Sequence, residues 1–373
     1  MDRFCRPIRV GIAASAVWLV GCLGAAAQDV PDADLQTMIG QMLIVGFAGS
    51  TPDNGDIESL TWQIEHGIIG GVILLKRNIK SPEQLATLTQ RLQDAAVALP
   101  LFVSIDQEGG QVQRLTAETG FAEWASAAEI SRRAAREPGY ALGYYSVRGA
   151  ELHALHINLN FGPVVDLNVN PANPVIGALD RSYSADPALV TADGGDFVLG
   201  HRANGVLTAV KHFPGHGSSV TDSHDALADI SKTWTAAELD PYRDLAVSGL
   251  VDMAMVGHLV LPEFSDGAGV PVSLSAKGVG ALRNLVGEQT VIITDDLQMG
   301  AIQQNYDEAE AAILAVLAGN DLLIHSTFER IDPDIGPRLN LEIQEAVKTG
   351  RIPQERIEQA YARIVALKSR IAN

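Results

Sequence analysis

The 373-residue chain has only two cysteines, Cys5 and Cys22, and both lie close to its N-terminus. The remainder therefore has no thiol for disulfide formation or redox chemistry, and it must be stabilised by a hydrophobic core. Hydrophobic residues make up 47% of the sequence, which is enough for a core of this kind.

Positive charge is also scarce, with 27 Lys and Arg residues against 45 Asp and Glu residues and a net charge of -18. A chain this acidic is repelled by phosphate groups. We therefore expect no nucleic-acid partner, and binding to an anionic membrane surface is disfavoured for the same reason. A neutral substrate fits the charge of the chain better.

The first 27 residues have the pattern of an export signal. A basic stretch (Arg3, Arg6 and Arg9) precedes an apolar run at 10–20. The small residues Ala25 to Ala27 then form a signal-peptidase cleavage site before Gln28. The apolar run is too short to cross a membrane comfortably. Alternatively, residues 19–22 (LVGC) resemble a lipobox, in which case the signal ends at residue 21 and Cys22 carries a lipid anchor. Both interpretations predict an exported protein, whether periplasmic, membrane-anchored as a lipoprotein, or secreted.

After the signal, apolar runs typical of strands alternate with longer amphipathic stretches typical of helices. Eight strands are predicted, at 42–47, 71–75, 101–105, 157–165, 206–210, 253–256, 291–293 and 321–324. Eight such repeats predict a single α/β domain over residues 31–373, folded as a closed (β/α)8 TIM barrel. A doubly wound open sheet is the alternative, but no G-x-G-x-x-G or P-loop pattern follows any strand.

Ionisable residues follow six of the predicted strands. They are Asp106 and Glu108, Asp166, Lys211 and His212, His258, Asp295 and Asp296, and His325. A single carboxylate at a strand end more often caps the next helix. Six strands with this pattern instead predict an active site at the C-terminal rim of the barrel.

Two features of this rim indicate acid–base and nucleophilic chemistry. Asp222 and His224 are two residues apart, so in an extended loop the carboxylate can orient the imidazole as an acid and then a base. Asp295 ends a very apolar strand and is a candidate nucleophile or electrostatic stabiliser. Because neighbouring strand residues point to opposite sides, we expect only one of Asp295 and Asp296 to face the pocket, with the other capping the next helix.

A metal site is the alternative use of these side chains, because His212, His216, Asp222 and His224 are all of residue types that bind metals. Their spacing does not match H-E-x-x-H, Pro214 and Gly215 prevent a helix between the first two histidines, and Lys211 would lie beside the metal. The sequence therefore predicts no metal and no cofactor.

Residues 211–217 (KHFPGHG) followed by 222–224 (DSH) resemble the signature of bacterial β-N-acetylhexosaminidases of glycoside hydrolase family 3. Further segments resemble the family in the same order along nearly the whole chain after the signal. They are 70–88, 105–114 (IDQEGGQVQR), 160–168 (NFGPVVDLN), 180–182 (DRS), 271–275 (PVSLS) and 293–299 (ITDDLQM).

The resemblance implies a TIM barrel that removes terminal, non-reducing N-acetyl-β-D-glucosamine units with retention of configuration. Its substrate would be an oligosaccharide or muropeptide containing N-acetylglucosamine. The family's nucleophile falls on Asp295, its acid/base histidine on His224 and the partner carboxylate on Asp222. Sugar-binding positions fall on Asp106, Arg114, Arg181, Lys211 and His212, whereas His216 is interpreted as loop structure.

Alternatives remain open from the sequence. The protein could be an N-acetylglucosaminide phosphorylase or a β-glucosidase of the same fold, or a non-catalytic envelope protein that binds glycans. Many relatives act in the cytoplasm on cell-wall fragments. The export signal instead favours a role in the envelope or outside the cell, on peptidoglycan or chitin-derived oligosaccharides.

Overall fold

The computed structural model describes residues 33–222, 227–328 and 330–371. The predicted export signal, Cys22 and the acid/base candidate His224 lie outside these residues. Ten strands are present in the described residues: β1 (Leu43–Gly46), β2 (Gly71–Leu74), β3 (Phe102–Ile105), β4 (Leu159–Asn160), β5 (Leu207–Phe213), β6 (Ala228–Asp229), β7 (Met253–Val256), β8 (Leu259–Val260), β9 (Val291–Asp296) and β10 (Leu322–His325).

Eight of these strands close into a parallel barrel in the order β1-β2-β3-β4-β5-β7-β9-β10. The closing pair is β10 with β1, where Leu43 lies opposite Leu323 and Val45 opposite His325. The short strands β6 and β8 pair with each other in a separate parallel sheet. The predicted (β/α)8 TIM barrel is therefore confirmed.

Helices alternate with the barrel strands. They are α1 (Leu35–Gln41), α2 (Gly55–Glu65), α3 (Pro82–Asp94), α4 (Ala127–Ala134), α5 (Tyr140–Ala154), α6 (Pro187–Arg202), α7 (Asp240–Val247), α8 (Ala276–Val286), α9 (Gly300–Gln303), α10 (Glu308–Ala318), α11 (Ile335–Lys348) and α12 (Gln354–Lys368). Within the described part of the chain, none of these helices combines the length and hydrophobicity that crossing a membrane needs.

Helix α3 shows how local sequence sets these elements. The Ser81 side chain accepts the backbone N–H of Gln84, the Gln84 side chain accepts that of Ser81, and Pro82 occupies the first turn. This reciprocal cap satisfies backbone donors that a helix N-terminus leaves open. The residues that α3 buries recur at helical spacing: Leu85, Leu88, Thr89 and Leu92.

The barrel strands are buried on both faces, since all four residues of β1, β2, β3, β7 and β10 are buried. A parallel sheet enclosed by helices requires this, and it explains why these strands appear in the sequence as continuous apolar runs.

All eight predicted barrel strands exist, but three of them end three or more residues away from their predicted ends, among them the seventh, which was predicted over 291–293 and runs to Asp296. The fourth was predicted over 157–165, yet only Leu159–Asn160 is regular strand. Pro163 has no N–H to donate, and the Gly162 N–H donates to Asn160 O instead of to a neighbouring strand. The fifth strand runs three residues beyond its predicted end, so that Lys211 and His212 belong to β5 itself.

At the N-terminal end of the barrel, the buried carboxylate of Asp321 gathers three arginines. Arg283 Nη2 lies 2.6 Å from Oδ2, while Arg356 Nη2 and Arg363 Nη1 lie 2.8 and 3.1 Å from Oδ1. Oδ2 also accepts the Ile292 backbone N–H at 3.0 Å. This cluster joins α8 and α12 to the starts of β9 and β10, at the end opposite the predicted site.

Candidate active site

A cavity of about 360 Å³ lies over the C-terminal ends of the barrel strands. Every predicted site residue that the structure describes lines it: Asp106, Arg114, Arg181, Lys211, His212, Asp222 and Asp295. These residues come from five separate stretches of the chain. Parallel strands bring their carboxyl ends to one rim, and this is why residues so distant in sequence meet.

Lys211 on β5 is held between two carboxylates. Its Nζ lies 2.8 Å from Asp106 Oδ1 and 2.7 Å from Glu108 Oε1, and the lysine side chain is only 3% exposed. Burial lowers the pKa of Lys211, but the two carboxylates outweigh burial and keep its pKa above the ordinary value. The ammonium is therefore charged and fixed in direction.

Glu108 also binds Arg181 with both carboxylate oxygens, at 2.7 Å to Nε and 2.8 Å to Nη2. Burial alone would raise the pKa of Glu108, but the charges of Arg181 and Lys211 hold it well below its usual range. No binding role for Glu108 was predicted from the sequence. The available signal was its position two residues after Asp106, which places both carboxylates on the same side of an extended segment.

Asp106 is more accessible than Glu108. Its side chain is 20% exposed and accepts Arg114 Nη2 at 3.3 Å as well as Lys211. Asp106 therefore presents a fixed carboxylate to a ligand in the cavity, whereas the Glu108 carboxylate is fully engaged in holding Arg181 and Lys211.

His212 is oriented by Asp166, a buried aspartate in the chain that follows β4. The ring Nδ1 lies 2.7 Å from Asp166 Oδ2, and the His212 backbone N–H donates to Oδ1 at 3.1 Å. Since Asp166 accepts from Nδ1, the opposite ring nitrogen, Nε2, is the one near Arg181, with Nη2 at 3.5 Å. Burial raises the pKa of Asp166, but His212 and His216 reverse this, so the net pKa is lowered.

His216, interpreted from the sequence as loop structure, lies in that loop but also lines the cavity. Its backbone N–H donates to Asp166 Oδ1 at 2.8 Å, and its ring packs edge-on against the His212 ring with centroids 5.9 Å apart. Burial, and then the nearby His212, lower the pKa of His216 to about 4. The imidazole of His216 is therefore neutral at physiological pH.

Asp295 and Asp296, at the end of β9, both line the cavity, so the expectation that only one would face it was wrong. The Asp296 carboxylate turns towards the chain after β10, where Oδ1 accepts the Ser326 N–H at 3.1 Å and Oδ2 accepts the Ser326 hydroxyl. Oδ1 also accepts the Gln298 N–H at 3.1 Å, so Asp296 caps a turn and not the helix, which begins at Gly300. Burial raises the pKa of Asp296 to about 6.

The loop after β5 leads to Asp222 and is packed tightly at two glycines. A Cβ at Gly217 would lie 1.7 Å from Leu167 O, and one at Gly215 would lie 2.5 Å from Glu238 Oε2. Asp222 is described and lines the cavity, whereas its predicted partner His224 is outside the described residues.

Glu238 holds this loop through a hydrogen bond to its backbone, a role that the sequence did not indicate. It is only 1% exposed, and its Oε2 accepts the Gly217 N–H at 3.2 Å. Burial, and then the charge of Asp166, raise the pKa of Glu238 to about 8. The side chain is therefore largely protonated at neutral pH.

Among the residues that the structure describes, no group of three or more His, Cys, Asp or Glu side chains is arranged to hold a metal ion. Because His224 is not among them, the expectation that the site needs no metal stays a prediction.

Comparison with known proteins identifies the family. Residues 34–367 match the description "Glycosyl hydrolase family 3 N terminal domain". The chain belongs to glycosyl hydrolase family 3. The resemblance that its sequence motifs indicated is therefore confirmed.

Two curated relatives illustrate the similarity. Beta-hexosaminidase A of Pseudoalteromonas piscicida is 32% identical over 93% of this chain and 63% of its own length. Beta-hexosaminidase LpqI of Mycobacterium tuberculosis is 31% identical over 88% of this chain and 81% of its own length.

A solved family 3 structure also matches. The β-N-acetylglucosaminidase from Paenibacillus sp. str. FPU-7 superimposes with a TM-score of 0.82 and 36% sequence identity, covering 91% of this chain. This chain spans 63% of the length of the Paenibacillus protein and the same share of the Pseudoalteromonas protein.

Proposed function

We propose that this protein is a retaining β-N-acetylhexosaminidase that hydrolyses terminal, non-reducing N-acetyl-β-D-glucosamine residues. The observation that carries the proposal is one cavity in which Asp295 and Asp222 stand beside the charged network of Asp106, Lys211 and Arg181. The relatives named β-hexosaminidase and β-N-acetylglucosaminidase support the same activity.

The charged network suits a sugar with several hydroxyl groups. Asp106 offers acceptor oxygens, while Arg114, Arg181 and Lys211 offer cationic donors whose directions are fixed by ion pairs. Charge-assisted hydrogen bonds of this kind hold a pyranose ring in one orientation and keep its anomeric carbon near the nucleophile. Nε2 of His212, with Nδ1 fixed by Asp166, adds one more directed group.

In the first step, Asp295 attacks the anomeric carbon while the glycosidic oxygen takes a proton from His224 and departs. The Asp222 carboxylate stabilises the imidazolium before this transfer and orients the ring. In the second step, His224 removes a proton from water, which attacks the glycosyl–Asp295 ester and releases the sugar with its configuration retained.

The predicted export signal, or the alternative lipid anchor at Cys22, supports the proposal that this activity lies outside the cytoplasm. Substrates there include peptidoglycan fragments and chitin-derived oligosaccharides. Cell fractionation with an antibody against the protein tests the location, because recovery in the cytoplasm would contradict export. Replacing Cys22 with Ala distinguishes the routes, since only a lipoprotein would lose its membrane association.

The activity is tested by incubating the purified protein with chitobiose, muropeptides, an aryl N-acetyl-β-glucosaminide and an aryl β-glucoside, with and without phosphate. We expect free N-acetylglucosamine under both conditions. A sugar 1-phosphate that forms only with phosphate would indicate a phosphorylase, and release of glucose but not N-acetylglucosamine from aryl glycosides would indicate a β-glucosidase. Binding without turnover would indicate a glycan-binding protein. Asp295→Asn should be inactive, while Asp94→Asn, at an exposed position on α3, serves as the matched control.

A further inference from the structure

An exposed aromatic ring lies at the mouth of the cavity. Phe328 lines the cavity and is 69% exposed. The other strongly exposed aromatic side chain in the described residues is Trp62, whose ring stacks on His66 with centroids 4.3 Å apart. Single exposed apolar residues are common on protein surfaces. The argument therefore rests on where Phe328 lies and how it is held.

The backbone that carries Phe328 is fixed by Arg77. Arg77 Nη1 donates to Phe328 O at 3.3 Å, and Nη2 donates to Ser326 O at 3.2 Å and to Thr327 Oγ1 at 2.7 Å. The Arg77 Nε is bound in turn to Phe47 O at 3.0 Å, which ties the segment to the chain after β1. An exposed ring on an anchored backbone is suited to contact a ligand at low entropic cost.

The same segment is coupled to the nucleophile's neighbour. The Ser326 hydroxyl donates to Asp296, and the Phe328 N–H donates to Ser326 Oγ at 3.2 Å. The position of Phe328 is therefore set relative to Asp295 through two intervening residues, Ser326 and Asp296.

The side chains that line the cavity fall into a buried charged region and an exposed mouth. Lys211, Arg181 and Glu108 are 3%, 6% and 7% exposed, whereas Phe328 is 69% exposed. In an enzyme that removes terminal sugars, the terminal ring enters the buried charged region, and the remainder of the substrate leaves through the mouth. The group that meets the second sugar must therefore lie at the mouth, near the nucleophile.

We infer that Phe328 forms the subsite for the leaving-group sugar, by packing its ring against the apolar C–H face of a β-linked pyranose. Rings of this kind bury apolar surface without needing a hydrogen-bond partner, and aromatic side chains are usual in ligand sites. This inference rests on the proposed function, since it assumes cleavage of a terminal sugar. It names the substrate class as a β-linked oligosaccharide whose second residue is also a pyranose.

The test compares two substrates with the same terminal sugar: chitobiose, whose leaving group is a sugar, and N-acetyl-β-glucosaminyl fluoride, whose leaving group has no ring. We expect Phe328→Ala to lower kcat/KM for chitobiose about tenfold, mainly through KM, because one aromatic contact is lost. The tenfold loss on chitobiose corresponds to ~1.4 kcal/mol. The fluoride loses no contact in this variant, so its hydrolysis should stay within about twofold of the wild-type rate. Phe328→Trp should restore chitobiose hydrolysis.

Trp62→Ala is the matched control, because it removes an exposed aromatic ring on α2. An unchanged kcat/KM for chitobiose in Phe328→Ala, or equal losses on both substrates, would overturn the inference while leaving the proposed function intact. If the wild-type protein hydrolyses neither substrate, the proposed function fails and the inference fails with it. Transfer to added N-acetylglucosamine is a further readout, and Phe328→Ala should lower it relative to hydrolysis of the fluoride.

Discussion

Arg181 and Glu108 form a bidentate ion pair that is almost wholly buried, with the arginine Nε and Nη2 at 2.7 and 2.8 Å from the carboxylate oxygens. The two side chains come from the segment after β3 and the long segment after β4, which are 73 residues apart. The pair fixes the guanidinium in the cavity wall and leaves the same carboxylate to hold Lys211.

Removing the negative charge of this pair should cost both stability and substrate binding. In Glu108→Gln, Arg181 and Lys211 keep their charges but lose a buried counter-ion. We expect the free energy of unfolding to fall by about 3 kcal/mol, together with a clear rise in KM. Urea denaturation and steady-state kinetics measure the two effects. Glu129→Gln, which breaks the exposed pair with Arg133, should change neither.

Replacing His224 with Ala should affect substrates according to their leaving groups. A sugar leaving group needs a proton, whereas nitrophenolate leaves without one. We expect kcat/KM to fall by about 10² to 10⁴ for chitobiose, the usual contribution of a general acid, and much less for a nitrophenyl glycoside. Asp222→Asn should show the same pattern more weakly. Equal losses on both substrates would contradict an acid role for His224.

Glu238 should make the protein less stable as the pH rises. Its pKa is raised from 4.5 to about 8, so between these values the folded state holds a proton that the unfolded state has lost. The free energy of unfolding therefore decreases as the pH increases from about 4.5 to 8. Above the folded pKa, Glu238 causes no further loss of stability.

Glu238→Gln removes this dependence, because the amide stays neutral at every pH. We expect the variant to gain stability relative to the wild type by up to a few kcal/mol between pH 5 and pH 8, as measured by urea denaturation at several pH values. Glu345→Gln, an exposed position on α11, provides the control and should follow the wild type. Parallel curves for wild type and Glu238→Gln would show that Glu238 titrates normally.

Asp321 should matter for stability but not for catalysis. Asp321→Ala leaves Arg283, Arg356 and Arg363 clustered without their shared carboxylate. We expect a loss of about 3–5 kcal/mol in the free energy of unfolding. KM should stay unchanged at temperatures where the variant is folded, because the cluster lies at the opposite end of the barrel from the cavity. A change in KM without a loss of stability would contradict this separation.

The strands and the position of the site were predictable because both depend on local sequence. Apolar runs buried on both faces mark each strand, and the polar residues after Ile105, Val210 and Thr294 mark the rim. The early end of β4 was missed because the mainly apolar composition of 157–165 masks the effect of Pro163. The missing N–H of this proline matters only once the neighbouring strand is known.

The supporting residues were harder to predict because their roles depend on contacts between distant parts of the chain. Glu238 meets Gly217 across 21 residues, and Asp166 meets His212 across 46. Their carboxylates resemble surface carboxylates in sequence, and only the fold shows that they are buried. Asp296 was expected to face away or cap a helix, but Ser326 draws its carboxylate into the cavity wall.

The enclosure of Lys211 has a practical consequence for attaching the protein to a solid support. Reagents that acylate amines need an accessible, uncharged amine, and Lys211 is 3% exposed and held protonated by Asp106 and Glu108. The exposed lysines are Lys76, Lys80, Lys232, Lys277 and Lys348. Coupling through amines will therefore use these exposed lysines and spare Lys211 in the cavity.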